Sequence, residues 1–357
     1  MQLSVLMPTH RHDLLTLARI AQACSWAGPQ IEVIVRDNSG DANKRDIITR
    51  FQNDHSKIII AEPCDAITNF LELLRIARGD FIYIVADDDF CFDRAIAAMP
   101  GMIDRIGQDT SVAGISGAFA VEFANGSRVD SYEGLDSTDA RTRVIGYLKY
   151  PGPNLLFYCP MRRHIAQRVF TLLHTMPLEF PFHDQLLSLL YLLSGKFVSL
   201  QRLMYSYEMG PWENAETAQL RDLDVYKAGQ LDPAINRLQW FLCAFEGAML
   251  ISNPEITTGY SAAQRQPIAD VWFSVMYARF KRDNRNTYGS RFAEDAEKLA
   301  AKWLALTGPL SFDAMLADIR DFIALFSENG AQTYFDFWNT VFNKRDPLAR
   351  EAVAASA

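Results

Sequence analysis

No apolar stretch in this sequence approaches the length needed to cross a bilayer; the longest, residues 186–193, has the size of a core segment. No C-x-x-C pair occurs among Cys24, Cys64, Cys91, Cys159 and Cys243, an odd and widely spaced set. That argues against a disulfide framework or a thiolate zinc site and fits reduced core thiols in a cytoplasmic protein. Positive charge is scarce: 35 Lys and Arg stand against 43 Asp and Glu, a formal net charge of -8, so nucleic acid is not an expected partner. No basic segment precedes the apolar start at residues 1–8, so no secretory leader is expected. Internal repeats are lacking, and the biased tract is the Ala-rich end at residues 352–357. What is present is a 357-residue chain, 49% hydrophobic, enough for two domains or for one large domain with an appendage.

Strand and helix signals alternate through the first third. Residues 3–7, stopped at Pro8, read as a strand, and Asp13 opens a helix with Leu14, Leu17, Ala18 and Ala21 on one face. Residues 31–36 form a second strand, broken by Asp37-Asn38-Ser39-Gly40, and a helical stretch covers residues 43–51. A third strand spans 57–60; a helix with Ile67, Phe70, Leu71 and Leu74 inward then stops at Gly79, where a fourth strand starts. This alternation predicts a parallel, doubly wound sheet with right-handed crossovers and ligands beyond the carboxyl ends of its strands. The turns Pro8-Thr9-His10, Asp37-Asn38 and Asp87-Asp88-Asp89 all fall at those ends.

From Ser111 the pattern changes. Residues 112–123, the turn Asn125-Gly126 and the segment from Arg128 predict an antiparallel hairpin. Beyond Asp232, amphipathic stretches at 235–251, 269–280, 292–306 and 312–326 predict a helical appendage.

The acidic triplet closes the fourth strand. Adjacent like charges repel by about 1 kcal/mol per pair even in water, and a bound cation relieves them. Mn2+ or Mg2+ is the expected ion, because hard divalent ions take carboxylate oxygens and complete their shells with water and nucleotide phosphates. A solvated loop or a helix N-cap is the alternative use of these residues.

Residues 3–9, residues 32–40, Asn69 followed by Ala77-Arg78-Gly79-Asp80-Phe81-Ile82, and Asp93-Arg94 after the triplet form an ordered series. Together they resemble the inverting family 2 glycosyltransferases of the GT-A fold, which transfer a sugar from a nucleotide-sugar donor. The resemblance implies an α/β fold: a doubly wound mixed sheet with a Rossmann-like nucleotide-binding half and a helical C-terminal appendage. It implies that Pro8, Thr9 and His10 wall the nucleotide, that Asp37 accepts from a uracil-like base, and that Asn69 positions the nucleotide. Asp87 would face the ribose or metal, Asp88 would hold the metal that bridges the diphosphate, and Asp89 is the next candidate ligand. The loop Thr9-His10-Arg11-His12-Asp13 is shorter than the family's usual form.

Phe180-Pro181-Phe182-His183-Asp184, leading through an apolar helix to Gly195-Lys196, resembles the family's acidic motif, which makes Asp184 the general base. His183 stands where relatives often carry a second acid. Residues 154–163, with Phe157, Tyr158 and Arg162, resemble the segment between donor and acceptor sites, so Arg162 is a candidate for phosphate or acceptor contact. Glu208 does not match the histidine that many relatives carry in this region, while Trp212 offers a flat face to an acceptor sugar.

The expected division is a donor-binding half at 1–110, an acceptor-binding half at 111–231 and a helical region at 232–357. The partners implied are a nucleotide sugar, UDP-linked by preference, and a glycan or lipid-linked glycan. Arg279, Lys281, Arg282, Arg285 and Arg291 suit either anionic lipid at the inner membrane face or a solvated helix end. The helical region is also a candidate homodimer surface. Two other readings stay open: a non-catalytic scaffold of the same fold, and a sugar nucleotidylyltransferase. The latter calls for a glycine-rich phosphate loop after the first strand, which Met7-Pro8-Thr9-His10-Arg11-His12 does not supply.

Overall fold

The computed structural model describes residues 1–150, 152–305 and 311–343. In chain order the first elements are β1 (Leu3–Thr9), α1 (Leu14–Ser25), β2 (Ile31–Asp37), α2 (Ala42–Ile48), β3 (Ser56–Ile60), α3 (Ala66–Ile76), β4 (Phe81–Ile84), β5 (Phe90–Cys91) and α4 (Asp93–Ile106). The hairpin follows as β6 (Val112–Phe123) and β7 (Gly126–Asp130), then α5 (Ala140–Lys149), β8 (Met161–Arg162) and α6 (Arg163–Thr175). The remainder comprises α7 (His183–Ser194), β9 (Lys196–Glu208), α8 (Gly210–Glu213), α9 (Ala215–Ala228), α10 (Gln239–Ser252), α11 (Ala262–Arg282), α12 (Ala293–Leu304), α13 (Phe312–Ala324) and α14 (Glu328–Asn343).

Among the described residues the strands form one mixed nine-stranded sheet in the order β3-β2-β1-β4-β8-β6-β9-β5, with β7 paired to β6. The β1, β2, β3 and β4 ladders are parallel. Helical crossovers cover both faces of such strands, which explains why β1 and β2 are buried at nearly every position rather than alternately. In register, Leu3 faces Ile31 and Phe81, and Thr9 faces Asp37, so the carboxyl ends of β1 and β2 come level. The later strands β8 and β7 run antiparallel to their neighbours, which makes the sheet mixed.

Two helix faces differ from expectation. The face of α1 that packs inward is Thr16, Ile20, Ala23 and Cys24, while Leu14 is 85% exposed. Asp13 sets that phase: its carboxylate caps the helix by accepting from both the backbone N–H and the hydroxyl of Thr16. Helix α3 buries Asn69, Leu73 and Leu74, whereas Ile67, Phe70 and Leu71 are only half-buried. That helix ends at Ile76, before Gly79, whose role is close approach: a Cβ there would lie 2.5 Å from the Ser4 backbone nitrogen.

The chain divides into two compact units, Met1–His174 with Ser194–Asn214, and Thr175–Leu193 with Ala215–Ala357. The first contains the sheet. The second is helical, with a core of large side chains such as Trp272, Trp303 and Trp338. No described helix is long and apolar enough to cross a membrane.

Candidate functional site

At the carboxyl ends of β1, β2 and β4 the sheet unit holds a cavity of about 500 Å³. Its wall includes Pro8, Thr9, His10, Asn69, Asp87 and Tyr158. Four residues expected to surround a nucleotide, Pro8, Thr9, His10 and Asn69, are thus brought together with Asp87. His10 is exposed, whereas Asn69 is 3% exposed and its Oδ1 accepts from Arg36 Nη1 at 2.7 Å.

A buried polar chain runs beneath this wall. Lys44 Nζ donates to Asp37 Oδ1 and to Thr9 Oγ1, each at 2.8 Å, and the Thr9 hydroxyl donates to Asp87 Oδ2 at 2.6 Å. Both Asp37 oxygens are further engaged by Ser39. Asp37, the expected base acceptor, therefore sits behind the cavity wall, and its neighbour Asn38 lines the wall instead. The Asn38 amide donates to the Cys64 carbonyl at 2.8 Å, and its buried Oδ1 has no partner among the described residues. Asn38 was expected only as part of the turn Asp37-Asn38, and Lys44 was not foreseen. A lysine on a short helix reads as solvent-facing unless the acid and hydroxyl it meets across the sheet are known.

The acidic triplet splits three ways. Asp87 is buried and binds Thr9, and Arg11 Nη1 lies 3.5 Å from its other oxygen. Asp88, on the surface, pairs with the same Arg11 nitrogen. Asp89 turns to β9, accepting from the Tyr205 hydroxyl at 2.5 Å and from the Glu208 N–H at 3.3 Å. Burial pushes the Asp89 carboxyl up to about 6, with the Asp88 charge adding to the rise and the Tyr205 hydroxyl opposing it. Tyr205 in turn stacks on Tyr158, ring centroids 4.5 Å apart, which ties β9 to the cavity wall.

Asp87 and Asp88 present hard oxygen donors to one shared cation, the donor set that Mg2+ or Mn2+ prefers. Among the described residues no group of three His, Cys, Asp or Glu side chains collects around a point, so an ion held here would draw its remaining ligands from water and phosphate.

Other expected residues lie elsewhere. Arg162 is absent from this cavity wall: its guanidinium donates to the carbonyls of Val112, Ile106, Gly107 and Asp109 and stacks over Phe81, closing the C-terminal end of α4. The side chain of Trp212 lies outside the described residues. Asp184 stands in the first turn of α7, in the helical unit, and its Oδ1 accepts from the Gln185 N–H at 2.7 Å. The adjacent His183 is buried, with Nε2 3.5 Å from Glu246 Oε2, and Glu246 Oε1 accepts from the Tyr334 hydroxyl at 2.8 Å. Burial raises the Glu246 carboxyl above its ordinary range. The basic cluster of the helical unit is spent largely on rings: Arg279 and Arg285 lie over Trp240, Lys281 over Tyr277 and Arg291 over Phe292.

Residues 4–170 match the family model described as glycosyl transferase family 2. Among solved structures, the chain resembles the S. aureus protein TarS. Its residues 1–349 in complex with UDP-GlcNAc superpose with a TM-score of 0.52 at 14% identity, covering 96% of this chain and 91% of that one. The structure of the same TarS segment without that ligand gives 0.50 at 15% identity, covering 96% and 90%. No curated protein matches by sequence.

Proposed function

Because residues 4–170 belong to glycosyl transferase family 2, we propose that the chain moves a sugar from a nucleotide-diphosphate donor, a UDP-sugar by preference, to a hydroxyl of a glycan acceptor. The observation that carries this reading is Asp87 in the wall of a cavity of about 500 Å³, sharing a cationic partner with Asp88 at the carboxyl edge of a parallel sheet. The likeness to a fold solved with UDP-GlcNAc supports the choice of donor class.

In this reading Pro8, Thr9 and His10 form one side of the nucleotide site and Asn69 another, while Asn38 offers an amide to the base where Asp37 was expected. The Lys44 ammonium and the Thr9 hydroxyl hold Asp87 in place. Asp87 and Asp88 would hold a divalent ion, whose charge would stabilise the departing diphosphate. Asp184 takes the proton from the acceptor hydroxyl as that oxygen bonds to the anomeric carbon. The bond from that carbon to the diphosphate breaks with its electron pair leaving on oxygen, so a single displacement inverts the anomeric centre.

The test is a thermal-shift screen with nucleoside diphosphates and nucleotide sugars, in Mn2+ and in EDTA, since a ligand of the folded state raises apparent stability. A rise with UDP or a UDP-sugar that requires Mn2+ is expected. No rise with any of them overturns the donor-site reading, and an equal rise in EDTA overturns its metal dependence.

A further inference from the structure

Arg11 lies in the loop between β1 and α1, and its guanidinium is placed where a cation bound by the acidic motif would sit. Nη1 contacts Asp88 and lies 3.5 Å from Asp87 Oδ1, and the side chain is one-third exposed. Asp13 adds a further negative charge nearby. The third acid of the motif is turned away onto Tyr205, and the second oxygen of Asp87 is taken by Thr9. One oxygen of each carboxylate, Asp87 Oδ1 and Asp88 Oδ2, therefore already faces the same positive group. A guanidinium and a divalent ion cannot share these carboxylates at contact distance without strong repulsion.

We propose that Arg11 is a displaceable counter-ion: it neutralises Asp87 and Asp88 while the donor site is empty, and it must leave them before a metal enters. This inference rests on the donor-site reading above. The metal alone then binds weakly, because it competes with an internal cation. Metal and nucleotide together bind well, because the diphosphate brings oxygens for the metal and an alternative anion for the released guanidinium. The one-third exposed setting of Arg11 suits such a move, in contrast to Lys44, whose side chain is 1% exposed and fixed between Asp37 and Thr9.

The experiment is Mn2+ binding without nucleotide, read by calorimetry or by the loss of the free-ion paramagnetic signal, for wild type and Arg11→Met. The neutral variant should bind Mn2+ about tenfold tighter or more. Should Arg11→Met fail to fold, Arg11→Gln keeps a donor for Asp88 without the charge and should show the same gain. Parallel titrations of wild type include UDP. Mn2+ uptake by wild type with UDP, together with no gain in either variant, overturns the counter-ion and leaves the donor site standing. No Mn2+ uptake by any of the proteins, with or without UDP, overturns both.

Discussion

Lys44 Nζ lies 2.8 Å from Asp37 Oδ1, and each side chain is 1% exposed. A lysine and an aspartate so deeply withdrawn from water are stable only as partners, and the Thr9 hydroxyl supplies the ammonium with a second acceptor. Because Thr9 also donates to Asp87, the pair joins the ends of β1 and β2 to the acidic motif.

Removing one member leaves an uncompensated buried charge. Lys44→Met should lower the unfolding free energy by about 3–5 kcal/mol, measured by urea denaturation, and the double variant Asp37→Leu with Lys44→Met should recover much of that. An unchanged midpoint in the single variant would show that the buried pair contributes little to stability.

The proposed division of labour separates binding from chemistry. Asp88→Ala should weaken Mn2+-dependent UDP binding about tenfold or more, a loss of at least ~1.4 kcal/mol read by calorimetry. Asp184→Asn should leave that affinity nearly unchanged and slow transfer by about 10²- to 10⁴-fold. Equal loss of donor binding in both variants defeats the assignment.

Glu32 predicts acid sensitivity. Burial alone pushes its carboxyl up, but hydrogen bonds from Ser4 and from the backbone and side chain of Arg78 outweigh that and hold it below the ordinary glutamate value. The folded state therefore releases this proton more readily than the unfolded chain. The stabilisation is present above the unfolded pKa, about 4.3, and is lost as pH falls through the lower folded value. Glu32→Gln should cost about 2 kcal/mol at pH 7 and flatten the decline of stability in that acidic window. Denaturation curves from neutral pH down to pH 3 check both parts.

Gly79 brings α3 and β4 against β1. Gly79→Ala would set a methyl group 2.5 Å from the Ser4 nitrogen and 2.7 Å from its hydroxyl oxygen, so backbone has to shift. A loss of about 1–3 kcal/mol is expected. A neutral result by thermal denaturation would mean that β1 can retreat without breaking its ladder.

The sheet was legible because β1, β2 and β4 are runs rich in Val, Ile and Leu that end at or shortly before Thr9, Asp37 and Asp87, and such runs have few uses other than a strand buried on both faces. The hairpin at Asn125-Gly126 was legible from its turn chemistry. The phase of α1 was not. Leu14, Leu17, Ala18 and Ala21 compete with Thr16, Ile20, Ala23 and Cys24 as apolar stripes, and the Asp13 cap that fixes the phase is a matter of geometry. Within the cavity, residue types at strand ends pointed to the loops that line it, but not to which acid faces which partner. Asp89 bonding to Tyr205 and Asp37 bonding to Lys44 depend on contacts that local sequence does not encode.

The path of the chain through its two units bears on where it can be cut. The family-model match ends at residue 170, yet the sheet unit takes its longest strand, β9, from 194–214, after the chain has contributed residues 175–193 to the helical unit. A fragment ending at residue 174 would strip β6 of its parallel neighbour and Asp89 of its phenol, exposing a long unpaired edge beside the acidic loop. The end of the family-model match in this chain is therefore not a limit of independent folding.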